Sequence, residues 1–458
     1  MDLAAIGPVM GIVIEPGMRV LAHGVGSRED LPIPFSYAVT GAAVALLVSF
    51  VALGMLWREP RLDPASQSAR GRPAPRWLDR AVGSLPFRVG LRVLGVVITA
   101  YVVMAAVFGR DDALNPTAGA VYVLLWIGVP LLSMLVGPVW RALNPIRSLH
   151  WALSRLLGTR PEEGLAPLPA WLGYWPAAVS LLAFVWLELV APENTTLPVL
   201  RTFFAAYLAV HLLAATYFGS GWFDRGDGFE VFSTLAGRLS PLGRREDGVL
   251  VLRNPLAGVA GTPVAPGLFA VVGVLLGSTA YDSFAGTPSW VSTLQSGPMP
   301  AEVTGTLALL GVVALVTIAF AGAAALSGRA AGLPPMQVGA EFAHSIVPIV
   351  MGYVVAHYWS LLVLIGQQTV IQLSDPLGTG ANWLGTGDRG IDATLAGTTL
   401  TAVIQVLAVL TGHVLGVVLA HDRAVRLLPR RRAIVGQIPL LVLMVAYTVG
   451  GLTLLFAA

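Results

Sequence analysis

Ten long apolar runs constrain the fold of this chain more than any other feature of its sequence. Each run holds roughly 18 to 25 residues, which is enough for an α-helix to cross about 30 Å of hydrocarbon. The pattern predicts an all-α fold, a polytopic transmembrane helical bundle formed by residues 36–458. The predicted spans lie near residues 36–57, 90–109, 118–139, 171–190, 199–222, 264–283, 304–327, 341–368, 396–420 and 434–457.

The composition supports a membrane protein and excludes several kinds of site. Of the 458 residues, 55% are hydrophobic and 12% are charged, and the mean hydropathy is +0.75. Soluble domains usually carry about 25% charged residues. Because the sequence has no cysteine, disulfides, thiolate metal sites and cysteine nucleophiles are excluded. No phosphate-binding glycine motif occurs between a strand and a helix, so nucleotide-driven transport is not expected.

The distribution of arginine predicts the orientation in the membrane. All 28 basic residues are arginine, and all but five fall on one side of the ten-span arrangement. The positive-inside rule assigns that side to the cytoplasm, so both termini are predicted to be external. The basic pI therefore does not indicate nucleic-acid binding. The cytoplasmic segments are predicted near residues 58–89, 140–170, 223–263, 328–340 and 421–433, which suits a multi-pass protein of the bacterial inner (plasma) membrane.

The first 35 residues are predicted to form an external N-terminal segment. Residues 1–22 are mildly apolar and signal-like, and cleavage after Ala22 would leave His23 as the new N-terminus. A basic n-region is lacking, however, and Glu15 interrupts the apolar run, so retention of the segment stays an open alternative.

Histidines in or beside the spans are the best clue to function. The chain has seven histidines, and His211, His344, His357, His413 and His421 lie in or next to predicted spans. Ionisable side chains are costly in a bilayer and usually mark a pathway or a ligand site. Depth along the helices places His211 and His357 near one layer and His344 and His413 near a lower one. His421 is predicted to be a solvated residue at the cytoplasmic boundary.

Helical phase restricts which of these side chains share a face. His344 and His357 point about 140° apart at 100° per residue, so one shared site is not expected. His357 and Gln368 are nearly in phase, and Gln405 and His413 are about 80° apart on one broad face. The candidate transport or proton-relay residues are His211, His357, His413, His344, Gln368 and Gln405.

Three acidic residues stand at or beyond the predicted external ends of spans. Glu188 closes the fourth span, Asp282 closes the sixth, and Asp375 follows the eighth. Together they predict an external vestibule that attracts cations. The alternative is that they cap helices and turns.

These residues leave several functions open. The leading hypothesis is a permease-like or metal-handling protein that acts on a small molecule or ion, with histidines as a proton relay or as ligands of copper or zinc. His357 and His211 are the intramembrane metal candidates. A membrane-embedded, metal-dependent hydrolase and a b-type haem protein are the alternatives. Each histidine could also simply hydrogen-bond a neighbouring helix.

Several segments carry a family resemblance that covers nearly the full chain. They include the residues around His23, the run Phe342-Ala343-His344-Ser345, the run from Val355 to Tyr358 that contains His357, and Ser374-Asp375-Pro376. The chain resembles a family of actinobacterial multi-pass membrane proteins commonly labelled "fenitrothion hydrolase".

The resemblance implies an envelope protein in which His23, His344, His357 and Asp375 belong to family motifs. Its label implies hydrolysis of organophosphate esters. In this family a His-Gly pair commonly follows a signal-like segment, which favours exposure of His23. As a free N-terminus, the amine and imidazole of His23 could chelate copper.

Overall fold

The prediction of a ten-span helical bundle is confirmed by a computed structural model. The structure describes residues 28–62, 71–245, 247–329, 332, 334–429 and 434–457. Within these ranges, ten helices are long and apolar enough to cross a membrane. Numbered from 1 to 10 in chain order, the spans are Phe35–Leu56, Leu85–Phe108, Thr117–Val136, Ala170–Leu189, Leu197–Phe218, Leu268–Ala285, Ala301–Arg329, Val338–Gln372, Thr398–Leu427 and Val435–Leu455.

Short helices and one small sheet connect the spans, and a few of the short helical segments overlap the spans themselves. The short α-helices are Arg76–Gly83, Val139–Leu143, Pro145–Leu156, Gly228–Gly237, Pro255–Ala260, Pro288–Ser296 and Pro335–Phe342. The 3-10 turns are Arg28–Asp30, Ala170–Leu172, Ser220–Trp222, Ala343–Ile346, Thr394–Ala396 and Val435–Gln437. Strands β1 (Arg72–Pro73), β2 (Leu242–Arg244) and β3 (Leu250–Leu252) form an antiparallel sheet in the order β1-β3-β2.

Two Asn-Pro pairs start short helices on the predicted cytoplasmic side. The Asn144 side chain accepts hydrogen bonds from the N–H groups of Ile146 and Arg147, and Asn254 accepts one from Leu256. Each asparagine is an N-cap, and the proline after it fits the first turn, where its missing N–H is not needed. Helix initiation therefore explains why a proline follows each of these two asparagines.

The segment near residues 223–263 contains a buried helix. In Gly228–Gly237, which we call the re-entrant helix, nine of the ten residues are buried. Its Ser233 hydroxyl lies 2.8 Å from that of Ser133 in span 3, and the Phe229 ring centroid lies 4.8 Å from that of Phe184 in span 4. Ten helical residues cover only about 15 Å, so the helix enters the bundle without crossing it.

The predicted cytoplasmic end of span 9 is anchored to the end of span 1. His421 is only 1% exposed, and its two ring nitrogens lie 3.0 Å from Gln437 Oε1 and from the Trp57 carbonyl oxygen. Asp422 Oδ1 accepts hydrogen bonds from Trp57 Nε1 and from the Arg61 N–H group. The prediction that His421 is solvated is wrong, because its partners come from distant parts of the sequence.

Candidate functional site

A buried histidine and a buried aspartate join spans 6 and 8. His357 Nε2 lies 2.8 Å from Asp282 Oδ2, and the two side chains are 3% and 10% exposed. The residues are 75 positions apart in the chain. A hydrogen-bonding contact between two ionisable side chains within an apolar bundle marks a functional candidate, because ionisable groups there are costly and rare.

Hydroxyl groups extend this contact on both sides. Ser283 Oγ lies 3.2 Å from His357 Nδ1 and 2.7 Å from Tyr353 Oη. On the other side, Tyr358 Oη donates to Asp282 Oδ2 at 2.9 Å. Both ring nitrogens of His357 therefore have a hydrogen-bond partner. The side chains from Asp282 through His357 and Ser283 to Tyr353 form one continuous series of hydrogen bonds. We call Asp282, Ser283, Tyr353, His357 and Tyr358, together with the nearby Glu188, the outer cluster.

Helical spacing explains why these side chains meet. Tyr353 and His357 are four residues apart in span 8, so they lie one above the other on the same face. Asp282 and Ser283 are adjacent in span 6 and point about 100° apart. The two neighbours therefore reach opposite nitrogens of one imidazole. The spacing from Tyr353 to His357 is the sequence signal that could have identified this tyrosine.

Glu188 adds a second acidic side chain to the cluster from span 4. It lies close enough to Asp282 and to Tyr122 to interact with them electrostatically. Its Oε2 atom is buried and has no hydrogen-bond partner within the described ranges. The predicted vestibule residues Glu188 and Asp282 are thus neighbours, and both are largely withdrawn from solvent.

Asp375, the third predicted vestibule residue, has a different role. Its carboxylate accepts hydrogen bonds from the N–H groups of Thr379 and Gly380 at 2.9 and 2.7 Å. These bonds, led by the one from Thr379, hold the pKa of Asp375 below its ordinary value. Asp375 therefore orders the loop after span 8, as the alternative interpretation of caps and turns expects.

A π-helical stretch of span 3 lies beside the outer cluster. Ala120–Gly128 has π-helical geometry, which is rare and frequently occurs at functional sites. Two of its aromatic residues lie next to the cluster, since Trp126 interacts with Tyr358 and Tyr122 interacts with Glu188. The π-helical stretch therefore places two aromatic side chains beside the outer cluster.

His211 belongs to a second hydrogen-bonded chain nearer the predicted cytoplasmic side. Trp222 Nε1 donates to His211 Nδ1 at 3.0 Å, which leaves the proton of the neutral ring on Nε2. Nε2 lies 3.4 Å from Ser180 Oγ, which lies 3.3 Å from Tyr207 Oη. Tyr207 then donates to Asp227 Oδ1 at 2.7 Å. We call these five residues the inner cluster.

The inner cluster is held in place by a buried ion pair that joins the re-entrant helix to the helix Pro145–Leu156. Arg147 Nη2 lies 2.5 Å from Glu230 Oε1, and the two side chains are 11% and 0% exposed. Burial by itself lowers the pKa of Arg147, but the charge and hydrogen bond of Glu230, together with the charges of Asp224 and Asp227, outweigh this effect and raise the pKa above its ordinary value. Asn144 Nδ2 donates to both Glu230 and Asp227. These contacts hold the re-entrant helix against the predicted cytoplasmic segment near residues 140–170.

An aromatic barrier separates the two clusters along span 4. Ser180 and Glu188 are eight residues apart, or about 12 Å, and point only about 80° apart. Phe184 lies between them and is 1% exposed. Its ring packs 4.9 Å from Trp126 and 4.8 Å from Phe229, measured between centroids. No polar side chain named in either cluster bridges this barrier.

The remaining candidate residues lie elsewhere in the bundle. His344 Nδ1 lies 2.9 Å from the Glu341 carbonyl oxygen, and His413 Nδ1 lies 2.8 Å from that of Val409. Gln405 is fully buried, whereas Gln368 is half-buried. His211, His344, His357 and His413 therefore occupy four separate environments, each with its own hydrogen-bond partners.

Among the described residues, the fold does not bring together a set of ligands for the predicted metal or haem sites. Within the described ranges, no group of three His, Asp or Glu side chains is placed to hold a metal ion. His23 lies outside those ranges. Comparison of the chain with protein-family models, with curated proteins and with solved structures gave no match.

Proposed function

We propose that this chain is a permease-like protein of the bacterial inner membrane that couples to protons through the outer cluster. The observation that carries the proposal is the buried His357, whose two nitrogens contact Asp282 and Ser283. Imidazole is the side chain whose ordinary pKa suits proton exchange near neutral pH. Its position between a carboxylate and a hydroxyl gives the proton an entry and an exit.

The transfer can be followed atom by atom. A proton that arrives on Asp282 passes from Oδ2 to Nε2 of His357, while Nδ1 gives its proton to Ser283 Oγ. Ser283 in turn passes its own hydroxyl proton to Tyr353 Oη, 2.7 Å away, as Tyr353 releases its phenolic proton to the next acceptor along the route. The reverse arrangement has the same hydrogen bonds with opposite donors. These hydrogen-bonded side chains can therefore hold their protons in two arrangements without movement of a heavy atom.

The acidic pair supplies the external end of this route. Glu188 and Asp282 interact electrostatically, and Glu188 Oε2 has no hydrogen-bond partner in the described part of the chain. Two carboxylates in a medium of low polarity are favoured when they share a proton. We propose that Glu188 receives protons from the predicted external side and that Asp282 passes them to His357.

The test is an infrared titration of the purified protein in lipid vesicles. We expect a carboxylic acid C=O band that titrates in the wild-type protein, is lost in Asp282→Asn, and titrates at a different pH in His357→Gln. Thr448→Val is the matched control, because the Thr448 hydroxyl is buried but bonds only the Met444 carbonyl of its own helix. A wild-type spectrum without any band that Asp282→Asn removes would contradict the proposal.

A further inference from the structure

Span 9 carries buried polar atoms that the outer and inner clusters do not use. Thr401 and Gln405 are 0% exposed and His413 is 1% exposed. Thr401 Oγ1, both amide atoms of Gln405 and Nε2 of His413 are without a hydrogen-bond partner among the residues that the structure describes. Buried polar groups are almost always paired in folded proteins, so four such atoms on one helix require an explanation.

Close packing fixes the register between spans 8 and 9. A Cβ atom on Gly352 would lie 2.5 Å from the Ala408 carbonyl oxygen, and one on Gly412 would lie 2.6 Å from that of Pro348. The helices are antiparallel, since a step of four residues along one matches a step of four back along the other. Their backbones are therefore in contact at these glycines, as small residues allow in membrane helices.

This register places Gln405 at the depth of the outer cluster. When the pairing of spans 8 and 9 is continued by one turn from Gly352 and Ala408, Gln405 lies at the depth of the helical turn between Tyr353 and His357. Ala402 and Val409 flank Gln405 on the same face of span 9. Both of them pack with Tyr353 in one buried apolar group. The unpaired amide thus lies at the depth of Tyr353, which is the end of the outer cluster that would receive a proton.

His413 continues the polar face towards the predicted cytoplasmic side. It lies eight residues beyond Gln405, or about 12 Å. Its Nδ1 is tied to the Val409 carbonyl oxygen of its own helix, so the unpaired Nε2 is the nitrogen available to another molecule. Thr401 extends the same face by one turn in the opposite direction. The polar atoms are therefore spread along the helix and do not converge on one point.

The chemistry of these groups defines what they would bind. An amide, a hydroxyl and an imidazole offer both donors and acceptors, and neither the amide nor the hydroxyl carries a charge. The neighbouring surface includes Ala42, Ala356 and Ala402, which are all small. A neutral, very small ligand that both donates and accepts fits this description. Water bound along a helix in this way typically makes about three hydrogen bonds to buried polar groups.

We propose that Thr401, Gln405 and His413 bind a file of water molecules along span 9, and that the part from Gln405 to His413 continues the proton route from Tyr353 towards the predicted cytoplasmic half of the span. This inference rests on the proposed function of the outer cluster. It assigns span 9 the second part of the route and makes Gln405 the first group after Tyr353. The aromatic barrier around Phe184 then separates this route from the inner cluster.

The test uses infrared spectra of the full chain in lipid vesicles, recorded in ordinary water and in water labelled with oxygen-18. We expect O–H bands that shift with the isotope in the wild-type protein and disappear in Gln405→Leu. The carboxylic acid band of the outer cluster should still titrate in that variant, which separates this inference from the proposed function. Thr448→Val should keep both signals.

Two results would overturn the inference. One is a wild-type protein without isotope-sensitive bands, and the other is a Gln405→Leu variant that keeps them. Should Gln405→Leu fail to fold, His413→Phe measured in the same way decides the question, with His413→Gln as the variant expected to restore the bands. A wild-type protein in which the carboxylic acid band does not titrate would instead contradict the proposed function.

Discussion

At the scale of single residues, the position of His357 is the feature from which function follows. Its imidazole has partners on both nitrogens, and those partners are two consecutive residues of span 6. Such an arrangement fixes the ring while leaving the proton positions open. His211 is held differently, because the Trp222 indole can only donate and so fixes which nitrogen of His211 carries the proton.

Tyr358→Phe tests the hydrogen bonding of Asp282. The change removes one of the two donors to Asp282 Oδ2 and keeps the aromatic ring. We expect a loss of about 1 kcal/mol in the free energy of unfolding, the usual net value of one hydrogen bond. The carboxylic acid band of Asp282 should shift to the frequency of a more weakly bonded group. An unchanged band would show that the Tyr358 contact does not act on Asp282.

At the scale of elements, the re-entrant helix both separates the two clusters and holds the inner cluster in place. The re-entrant helix contributes Glu230 to the buried ion pair and Phe229 to the aromatic barrier. Asp227, its N-cap, accepts hydrogen bonds from Tyr207 and Asn144. One short element therefore links spans 3, 4 and 5 with the predicted cytoplasmic segment.

Glu230→Ala tests that link. It leaves Arg147 largely buried without its main partner, and breaking a buried pair in this way typically costs 3–5 kcal/mol, or about the stability of a marginal domain. The matched control is Arg141→Ala, which breaks a pair with Asp224 whose side chains are 50% and 37% exposed. We expect a change of about 0–1 kcal/mol there. Denaturant unfolding in detergent compares the two, and equal losses would argue against the assigned roles.

Phe184→Ala tests the aromatic barrier. The side chain is almost completely buried and contacts rings from span 3 and from the re-entrant helix. Truncation of such a phenylalanine usually costs about 3–5 kcal/mol, because a cavity remains. Phe184→Leu keeps most of the volume and should cost less than half as much. Thermal unfolding of both variants measures the difference, and similar midpoints would mean that the barrier is loosely packed.

At the scale of the whole molecule, the orientation is a prediction that the natural absence of cysteine makes easy to test. Ser292 lies in the exposed helix between spans 6 and 7, on the predicted external side. Arg160 lies on the predicted cytoplasmic side and its side chain is 81% exposed. In intact cells, a membrane-impermeant maleimide should label Ser292→Cys and should label Arg160→Cys only after permeabilisation. The opposite pattern would invert the topology.

Local sequence signals predicted the spans. They could not predict contacts between distant segments, because those contacts depend on how the helices pack. Hydropathy identifies a span because every residue in it contributes to the same local pattern. The contact between His357 and Asp282 joins two helices 75 residues apart, so neither helix reveals it alone. Helical phase correctly separated His344 from His357. It could not show that His421 is buried, because its partner Trp57 lies 364 positions away.

The buried state of the re-entrant helix has a consequence for the order of assembly during synthesis. Ten residues are too few to be inserted as a span, so the segment must wait at the membrane surface as the chain emerges. Phe232 of this helix lies beside Val347 and Val350 of span 8, which the ribosome makes more than a hundred residues later. Burial of this helix can therefore be completed only after span 8 has been made. A chain truncated before span 8 should leave that helix open to protease.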